Sequence, residues 1–256
     1  MSRRSMIETG SNTDELNAEL DRRYGSILVA GQPYLDVFRN CIAASGTTVA
    51  PDKVLDRAER GYRLAEALDR VLSKDGEGFA EAGVWRGFSA RLMALLVAHR
   101  RPGWRGKGLV LVDSFEGLSA PRVEDASPSP DGWVVARHTT NFASGEGIVR
   151  QTLSDFPDVA IHAGWIPPVL NTLSERTYCF VHLDTDLYEP TAACLAYFSS
   201  RMMPGGCIVD DDYGSGLFPG VRRAWDRFAR GTPGRFEVLE SGQCVWSADA
   251  EPAAGG

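Results

Sequence analysis

Two apolar runs that each end in aspartates constrain the fold of this chain most strongly. The runs are Tyr178–Leu183 and Cys207–Val209. The carboxylates that follow them are Asp184 and Asp186 after the first run, and Asp210, Asp211 and Asp212 after the second. Between the runs, apolar residues at helical spacing predict a helix that reaches Met202 and is stopped by the Pro-Gly-Gly that follows. This order predicts two parallel strands joined by a crossover helix.

The acids at the ends of these strands indicate a cation site. Neighbouring parallel strands bring their carboxyl ends to the same edge of a sheet, so we expect Asp184 to lie close to the later aspartates. Carboxylates held that close repel one another unless a proton or a cation compensates their charge. Mg²⁺ prefers oxygen ligands and keeps open water positions. The sequence therefore predicts a magnesium site.

A glycine turn between Gly78 and Ser89 indicates a second ligand site. A short strand into Glu81 is followed by Gly83 and Gly87 and then by a helix over Ala90–His99. This is the shape of the first strand, turn and helix of a dinucleotide-type fold, where the helix N-terminus faces the ligand. The segment is not a GxGxxG motif, so a plain tight turn is the alternative.

Two further strand ends extend this site. The apolar run Leu109–Val112 ends in Asp113, at the place where such folds hold the ribose hydroxyls of an adenosine ligand. A helix-capping aspartate is the alternative. Gly164 and Trp165 follow another predicted strand, and the indole fits either an adenine face or ordinary core packing.

The remaining pattern places helices before the sheet and a hairpin after it. We expect a frayed tail over Met1–Leu16, helices around Leu35–Ile42 and over Asp52–Leu72, Ile148–Phe156 and Val221–Ala229, a strand over Val159–Ala163, and a hairpin of Phe236–Leu239 and Gln243–Trp246. The order predicts an α/β fold with a doubly wound, mostly parallel Rossmann-like sheet and an antiparallel edge hairpin.

Two segments outside the sheet carry open functional alternatives. Residues 1–72 read as an N-terminal helical extension before a main domain over 73–256, and Tyr24–Tyr34 either packs on the core or a second subunit, or forms a substrate wall or lid. The irregular stretch Glu116–Thr140 predicts an active-site lid, with disorder as the alternative. His138 within it is a base, a sugar-binding group or neither.

Composition excludes several classes of protein. A net charge of −7 and a pI near 5.2 argue against nucleic acid as a partner and against a basic membrane-binding face. The chain has no apolar run of membrane-spanning length and no signal-peptide pattern, so we expect a cytoplasmic protein. Five scattered cysteines predict reduced, mostly buried thiols.

Five segments carry a resemblance to a known family. The segments YLDVFRNCI, EAGVWRGFSA, VDSFEGL, HLDTDLYEPT and PGGCIVDDDYG resemble the macrocin/mycinamicin O-methyltransferases, sugar-modifying enzymes of antibiotic biosynthesis. The resemblance implies a class I S-adenosylmethionine methyltransferase that depends on Mg²⁺, forms homo-dimers or higher homo-oligomers, and methylates a deoxysugar hydroxyl on a natural-product scaffold. The mechanism expected is in-line attack of a metal-bound hydroxyl, deprotonated by a carboxylate, on the sulfonium methyl.

The resemblance also implies roles for individual residues. Asp184 would be a metal ligand and the general base, Asp211 and Asp212 would complete the metal site, and Asp186 would support them. Asp210 is then an extra acid, and which two of the three consecutive aspartates face the ion stays open. The expected cofactor-binding residues are Glu81, Ala82, Gly83, Val84, Trp85, Gly87, Ser89, Asp113, Ser114, Phe115, Gly164 and Trp165.

Two alternatives use the same fold for other purposes. One is an NAD-dependent sugar oxidoreductase, although no YxxxK-type catalytic pair is visible in the sequence. The other is a non-catalytic subunit that binds an adenosine ligand and acts through its interfaces.

Overall fold

The computed structural model describes residues 8–72, 76–126 and 142–250, with side chains from residue 13 onward. The helices are α1 (Glu8–Tyr24), α2 (Tyr34–Ser45), α3 (Val54–Leu72), α4 (Phe88–Arg100), α5 (Glu146–Thr152), α6 (Tyr188–Ser199) and α7 (Pro219–Gly231). The strands are β1 (Leu28–Val29), β2 (Gln32–Pro33), β3 (Phe79–Ala82), β4 (Leu109–Asp113), β5 (Ala160–Ala163), β6 (Tyr178–Leu183), β7 (Met202–Asp210), β8 (Arg235–Val238) and β9 (Cys244–Ser247).

Seven strands form one sheet in the order β5-β4-β3-β6-β7-β9-β8, and β1 and β2 form a separate small hairpin. The neighbouring strands β5, β4, β3, β6 and β7 are parallel, whereas β9 is antiparallel to both β7 and β8. The doubly wound, mostly parallel sheet with an antiparallel edge hairpin is therefore confirmed. The strand order reverses between β3 and β6, which is where open α/β sheets bind their ligands.

Successive side chains of a strand point to opposite faces of the sheet, so the core has two parts, one on each face. On β4, Leu109 and Leu111 pack with residues of α3 and α4 on one face. Val110 and Val112 pack on the other face, with residues of α6 and α7. Because both faces are covered, the parallel strands are apolar runs rather than alternating ones.

The first helix begins earlier in the chain than we predicted. Helix α1 begins at Glu8, so the expectation of a frayed tail as far as Leu16 is wrong from Glu8 onward. The helix forms because Leu20 and Tyr24 are buried against the core. The rings of Tyr24 and Tyr34 contact each other, and both side chains are almost fully buried. Of the two alternatives for Tyr24–Tyr34, the structure therefore supports packing.

The crossover helix also ends earlier than we predicted. Helix α6 ends at Ser199, and Met202 already belongs to β7, where it pairs with Tyr178. The next pair in register is Phe180 with Cys207, so the Pro-Gly-Gly segment lies in a bulge of β7 rather than at a helix end. Helix α5 also ends earlier than predicted: the prediction was Ile148–Phe156, and the helix ends at Thr152.

Three further predictions concern the cysteines, membrane-spanning segments and the lid. All five cysteines are buried free thiols, as predicted. None of the helices in the described ranges combines the length and hydropathy that crossing a bilayer requires. His138 and most of the predicted lid lie outside the described residues.

Gly83 joins the first strand to the strand that carries the acids. It follows β3, has a left-handed φ of 83°, and faces the backbone after β6. A Cβ at this position would collide with the carbonyl oxygen of Asp184. This position therefore requires glycine for two reasons: the backbone is left-handed, and there is no room for a Cβ atom.

We predict that Gly83→Ala lowers the free energy of unfolding by about 3 kcal/mol or more, because the left-handed backbone costs about 1–2 kcal/mol and the collision adds to it. Gly103→Ala is the matched control, since Gly103 also has a left-handed φ, 86°, but no atom within 4 Å of an added Cβ. Urea denaturation of both variants measures the difference. Equal losses would show that the close approach to Asp184 contributes nothing.

Candidate active site

A cavity of about 280 Å³ opens at the carboxyl ends of the parallel strands, at the reversal of strand order. Its walls come from the segments that follow four strands: Gly83 and Trp85 after β3, Asp113 and Ser114 at the end of β4, Asp184 and Asp186 after β6, and Asp212 after β7. Helix α3 adds Arg57 and Arg60. The site is therefore built by the fold at the place where such sheets bind ligands.

Three carboxylates converge in this cavity. One oxygen each of Asp184, Asp186 and Asp212 lies within 4.8 Å of the others. Burial and the other carboxylates raise the pKa values of Asp186 and Asp212 well above the ordinary range, and burial and Asp211 raise the pKa of Asp184. Asp212 Oδ2 is buried and has no hydrogen-bond partner in the described part of the chain. Clustered carboxylate oxygens with an unsatisfied acceptor fit a hard divalent cation.

The backbone around the cavity is unusual at three strand ends. Trp85, Phe115 and Asp186 are non-glycine residues with left-handed φ values of 48°, 59° and 60°. Such conformations are costly and cluster at functional sites. At Asp186 the conformation accompanies a side chain that joins Asp184 and Asp212. Asp186, which we expected only to support the metal ligands, is therefore itself a member of the cluster.

Asp211 has different partners from those we expected of a metal ligand. Its Oδ1 faces His182 Nε2 at 3.0 Å and accepts a hydrogen bond from Gln243 Nε2 at 2.8 Å. Burial alone would raise the pKa of Asp211, but His182 and Arg60 outweigh it and hold that pKa below its ordinary value. Of the three expected ligands, the structure brings Asp184 and Asp212 together and leaves Asp211 outside the cluster.

Asp210 is a buried structural acid. Its Oδ2 accepts a hydrogen bond from Trp225 Nε1 at 2.8 Å, and its Oδ1 accepts one from the Asp212 amide at 2.8 Å. Burial raises its pKa to about 7. Of the three consecutive aspartates, only Asp212 therefore joins Asp184 in the cavity.

Glu81 lies behind the cavity rather than on its wall. Its Oε1 is 2.9 Å from His182 Nδ1, so His182 bridges the carboxylates of Glu81 and Asp211. Burial opposes the protonated imidazole, but these two carboxylates outweigh it and raise the pKa of His182 well above its ordinary value. Burial raises the pKa of Glu81 to about 7. We expected Glu81 beside the cofactor, and the structure places it in this buried chain.

Asp113 fixes the glycine turn and still faces the cavity. Its Oδ2 accepts hydrogen bonds from the amides of Val84 and Trp85 at 2.6 Å and 2.8 Å, and its Oδ1 accepts one from Phe115 at 2.7 Å. A carboxylate offers about four acceptor positions, so one remains for a ligand hydroxyl. Both a structural role and the expected ribose contact are compatible with this geometry.

The other expected cofactor residues divide into two groups. Ser114 and Trp165 line the cavity, and the indole is 37% exposed, which favours a ligand contact over core packing. The residues that do not line the cavity are Ala82, Val84, Gly87, Ser89, Phe115 and Gly164. The sequence reasoning missed Arg57 and Arg60, although two arginines one helical turn apart on an amphipathic helix were a visible signal.

The strands define a Rossmann-like sheet, with the cavity and the acid cluster at the carboxyl ends of its parallel strands. A solved structure has the same fold. The O-methyltransferase NovP superimposes with a TM-score of 0.68 at 19% identity, covering 84% of this chain and 98% of that chain. At this identity the likeness shows the fold alone. Residues 55–234 match the family described as macrocin-O-methyltransferase (TylF). Because the match covers more than half of the chain, the protein belongs to this family.

Two curated relatives come from Streptomyces. The demethyldecarbamoylnovobiocin O-methyltransferase of Streptomyces niveus is 29% identical over 162 residues, which are 60% of this chain and 60% of that protein. The 8-demethyl-8-(2,3-dimethoxy-alpha-L-rhamnosyl)-tetracenomycin-C 4'-O-methyltransferase of Streptomyces olivaceus is 32% identical over 157 residues, which are 59% of this chain and 58% of that protein. The chain thus spans about three fifths of the curated relatives that it matches. Family membership favours the methyltransferase interpretation over the oxidoreductase alternative.

We predict that Glu81→Gln changes how stability depends on pH. Because burial raises the pKa of Glu81 from 4.5 to about 7, the folded protein holds this proton more tightly than the unfolded chain. The stabilisation is fully present below pH 4.5 and is lost as the pH rises through 7. Between pH 5 and pH 8 the wild type should lose about 2–3 kcal/mol relative to the glutamine variant.

Urea denaturation at each pH, in chelator so that no cation contributes, measures this difference. Parallel pH profiles for the two proteins would contradict a buried Glu81 that ionises only at neutral pH.

Proposed function

We propose that the protein is an S-adenosylmethionine-dependent, Mg²⁺-dependent O-methyltransferase that acts on a sugar hydroxyl of a natural product. The observation that carries this proposal is the position of the acid cluster. Asp184, Asp186 and Asp212 lie in the same cavity as the Gly83 turn and Asp113. A dehydrogenase would need no cation beside its cofactor, whereas activation of a hydroxyl as a nucleophile uses one.

The donor half of the cavity is formed by the turns after β3 and β4. When bound, S-adenosylmethionine supplies a methyl group already activated by its sulfonium. The free acceptor position on Asp113 suits a ribose hydroxyl, and Gly83 lines the same cavity. Trp165 is partly exposed and lines the cavity, so its indole could pack on the adenine. These groups would hold the donor in the cavity that the acid cluster also lines.

The acceptor half is formed by the acid cluster. A divalent cation held by Asp184, Asp186 and Asp212 would lower the pKa of an acceptor hydroxyl. Asp184 is only partly buried, whereas Asp186 and Asp212 are buried, so Asp184 is the carboxylate best placed to take the hydroxyl proton.

The acceptor class is supported by the relatives and by the mouth of the cavity. The names of both curated relatives describe O-methylation of antibiotics, and one of them specifies a rhamnosyl group. Leu217 and Trp165 line the cavity and are 58% and 37% exposed. Exposed apolar side chains beside a polar site suit a sugar that carries an apolar scaffold. The homo-oligomer and the cytoplasmic location stay predictions.

We predict that Asp184→Asn lowers turnover by about 10³-fold, because it removes both a cation ligand and the base. The affinity for S-adenosylhomocysteine should stay within about twofold, since Asp113 and the turns are untouched. Methyl transfer from labelled S-adenosylmethionine to rhamnosylated tetracenomycin and other deoxysugar glycosides measures turnover, and calorimetry measures binding. Asp69→Asn, which removes an exposed ion pair with Arg100, is the control. Full activity of Asp184→Asn, or of the wild type in excess chelator, would contradict the proposal.

A further inference from the structure

Arg57 lines the cavity beside the acid cluster. It lies on α3 and reaches the cavity wall, where Gly83 and Asp184 also lie. Its guanidinium carbon is 4.8 Å from the centre of the Phe88 ring, and Phe88 is the first residue of α4. The charge of Arg57 is therefore held between the start of α4 and the acid cluster.

Arg57 differs from the other arginines of α3 in having no anionic partner. Arg60 pairs with Asp56 and Asp211, and Arg63 pairs with Glu59 and Glu66. Within the described ranges, Arg57 has neither a hydrogen bond nor an ion pair, and its Nε is buried without a partner. Its charge lowers the pKa of Asp184 only through space. A partly buried guanidinium without an acceptor is costly unless a ligand supplies one.

The start of α4 lies beside Arg57, although its residues do not line the cavity. The helix runs from Phe88 to Arg100 and begins at Gly87 without a side-chain cap from the described residues. The first amides of an uncapped helix favour an anion, and the helix dipole adds to this preference. The Arg57 guanidinium, which is stacked on Phe88 and lines the cavity with Gly83, therefore favours a negative group in this part of the cavity.

We propose that Arg57 binds the α-carboxylate of the methyl donor's methionine, an assignment that rests on the proposed function. With the ribose at Asp113 and the methyl group directed to Asp184, the amino-acid end of the donor would lie against the part of the cavity wall that Gly83 and Arg57 form. Its carboxylate then meets Arg57. A guanidinium binds a carboxylate through charge-assisted hydrogen bonds, and two parallel bonds fix its orientation.

A merely structural role for Arg57 makes a different prediction. If the guanidinium served only to balance the charge of Asp184 or to pack on Phe88, its loss would disturb the cavity for every adenosine ligand. If it binds the carboxylate, its loss affects only ligands that carry one. Comparing S-adenosylhomocysteine with methylthioadenosine, which lacks the amino-acid end, separates the two roles.

The experiment is calorimetric titration of the full-length wild type, Arg57→Gln, Arg57→Lys and Arg63→Gln with each of the two ligands. We expect Arg57→Gln to weaken binding of S-adenosylhomocysteine by about 10- to 100-fold and to leave binding of methylthioadenosine within about twofold. Arg57→Lys should lie between, because it keeps the charge and loses the planar fork. Arg63→Gln is the matched control from the same helix and should match the wild type.

Each contrary outcome has a definite meaning. Unchanged S-adenosylhomocysteine affinity in Arg57→Gln overturns the assignment alone, and so does an equal loss for both ligands. If the wild type binds neither ligand, the proposed function falls and the assignment with it. Retained methylthioadenosine binding in Arg57→Gln shows that the variant is folded.

Discussion

The structure depends on the burial of charged groups where three neighbouring strands end. Glu81 of β3, His182 of β6 and Asp211 after β7 form one chain of contacts, with both imidazole nitrogens facing carboxylates. His182 and Glu81 are almost completely inaccessible to solvent. Removing one partner would leave a buried ionisable group without its hydrogen bond, which costs more than the contact contributes. The register of the central strands and the position of the acids are therefore fixed together.

This arrangement ties the two halves of the cavity to each other. Gly83 packs directly on the backbone of Asp184, so the turn proposed to receive the donor and the carboxylate proposed to activate the acceptor cannot move independently. Asp113 holds the same turn through two backbone amides. Methyl transfer needs its two reactants in line and in contact, and a rigid joint between their sites supplies much of that positioning.

The sequence predicted those parts of the site that follow from strand order. Parallel strands had to bring Asp184 and Asp212 to one edge, and the structure does so. The sequence did not distinguish Asp211 from Asp186, because the direction of each carboxylate depends on partners distant in sequence. Gln243 and His182 engage Asp211, and the left-handed backbone of Asp186 accompanies its place in the cluster.

Anomalous diffraction from crystals grown with Mn²⁺ and S-adenosylhomocysteine tests the central claim most directly. The account predicts a single strong peak within coordination distance of Asp184, Asp186 and Asp212, with no contact to Asp211, which keeps its partners His182 and Gln243. An ion bound instead by Asp211, or a cavity that holds S-adenosylhomocysteine but no ion at saturating Mn²⁺, would contradict it.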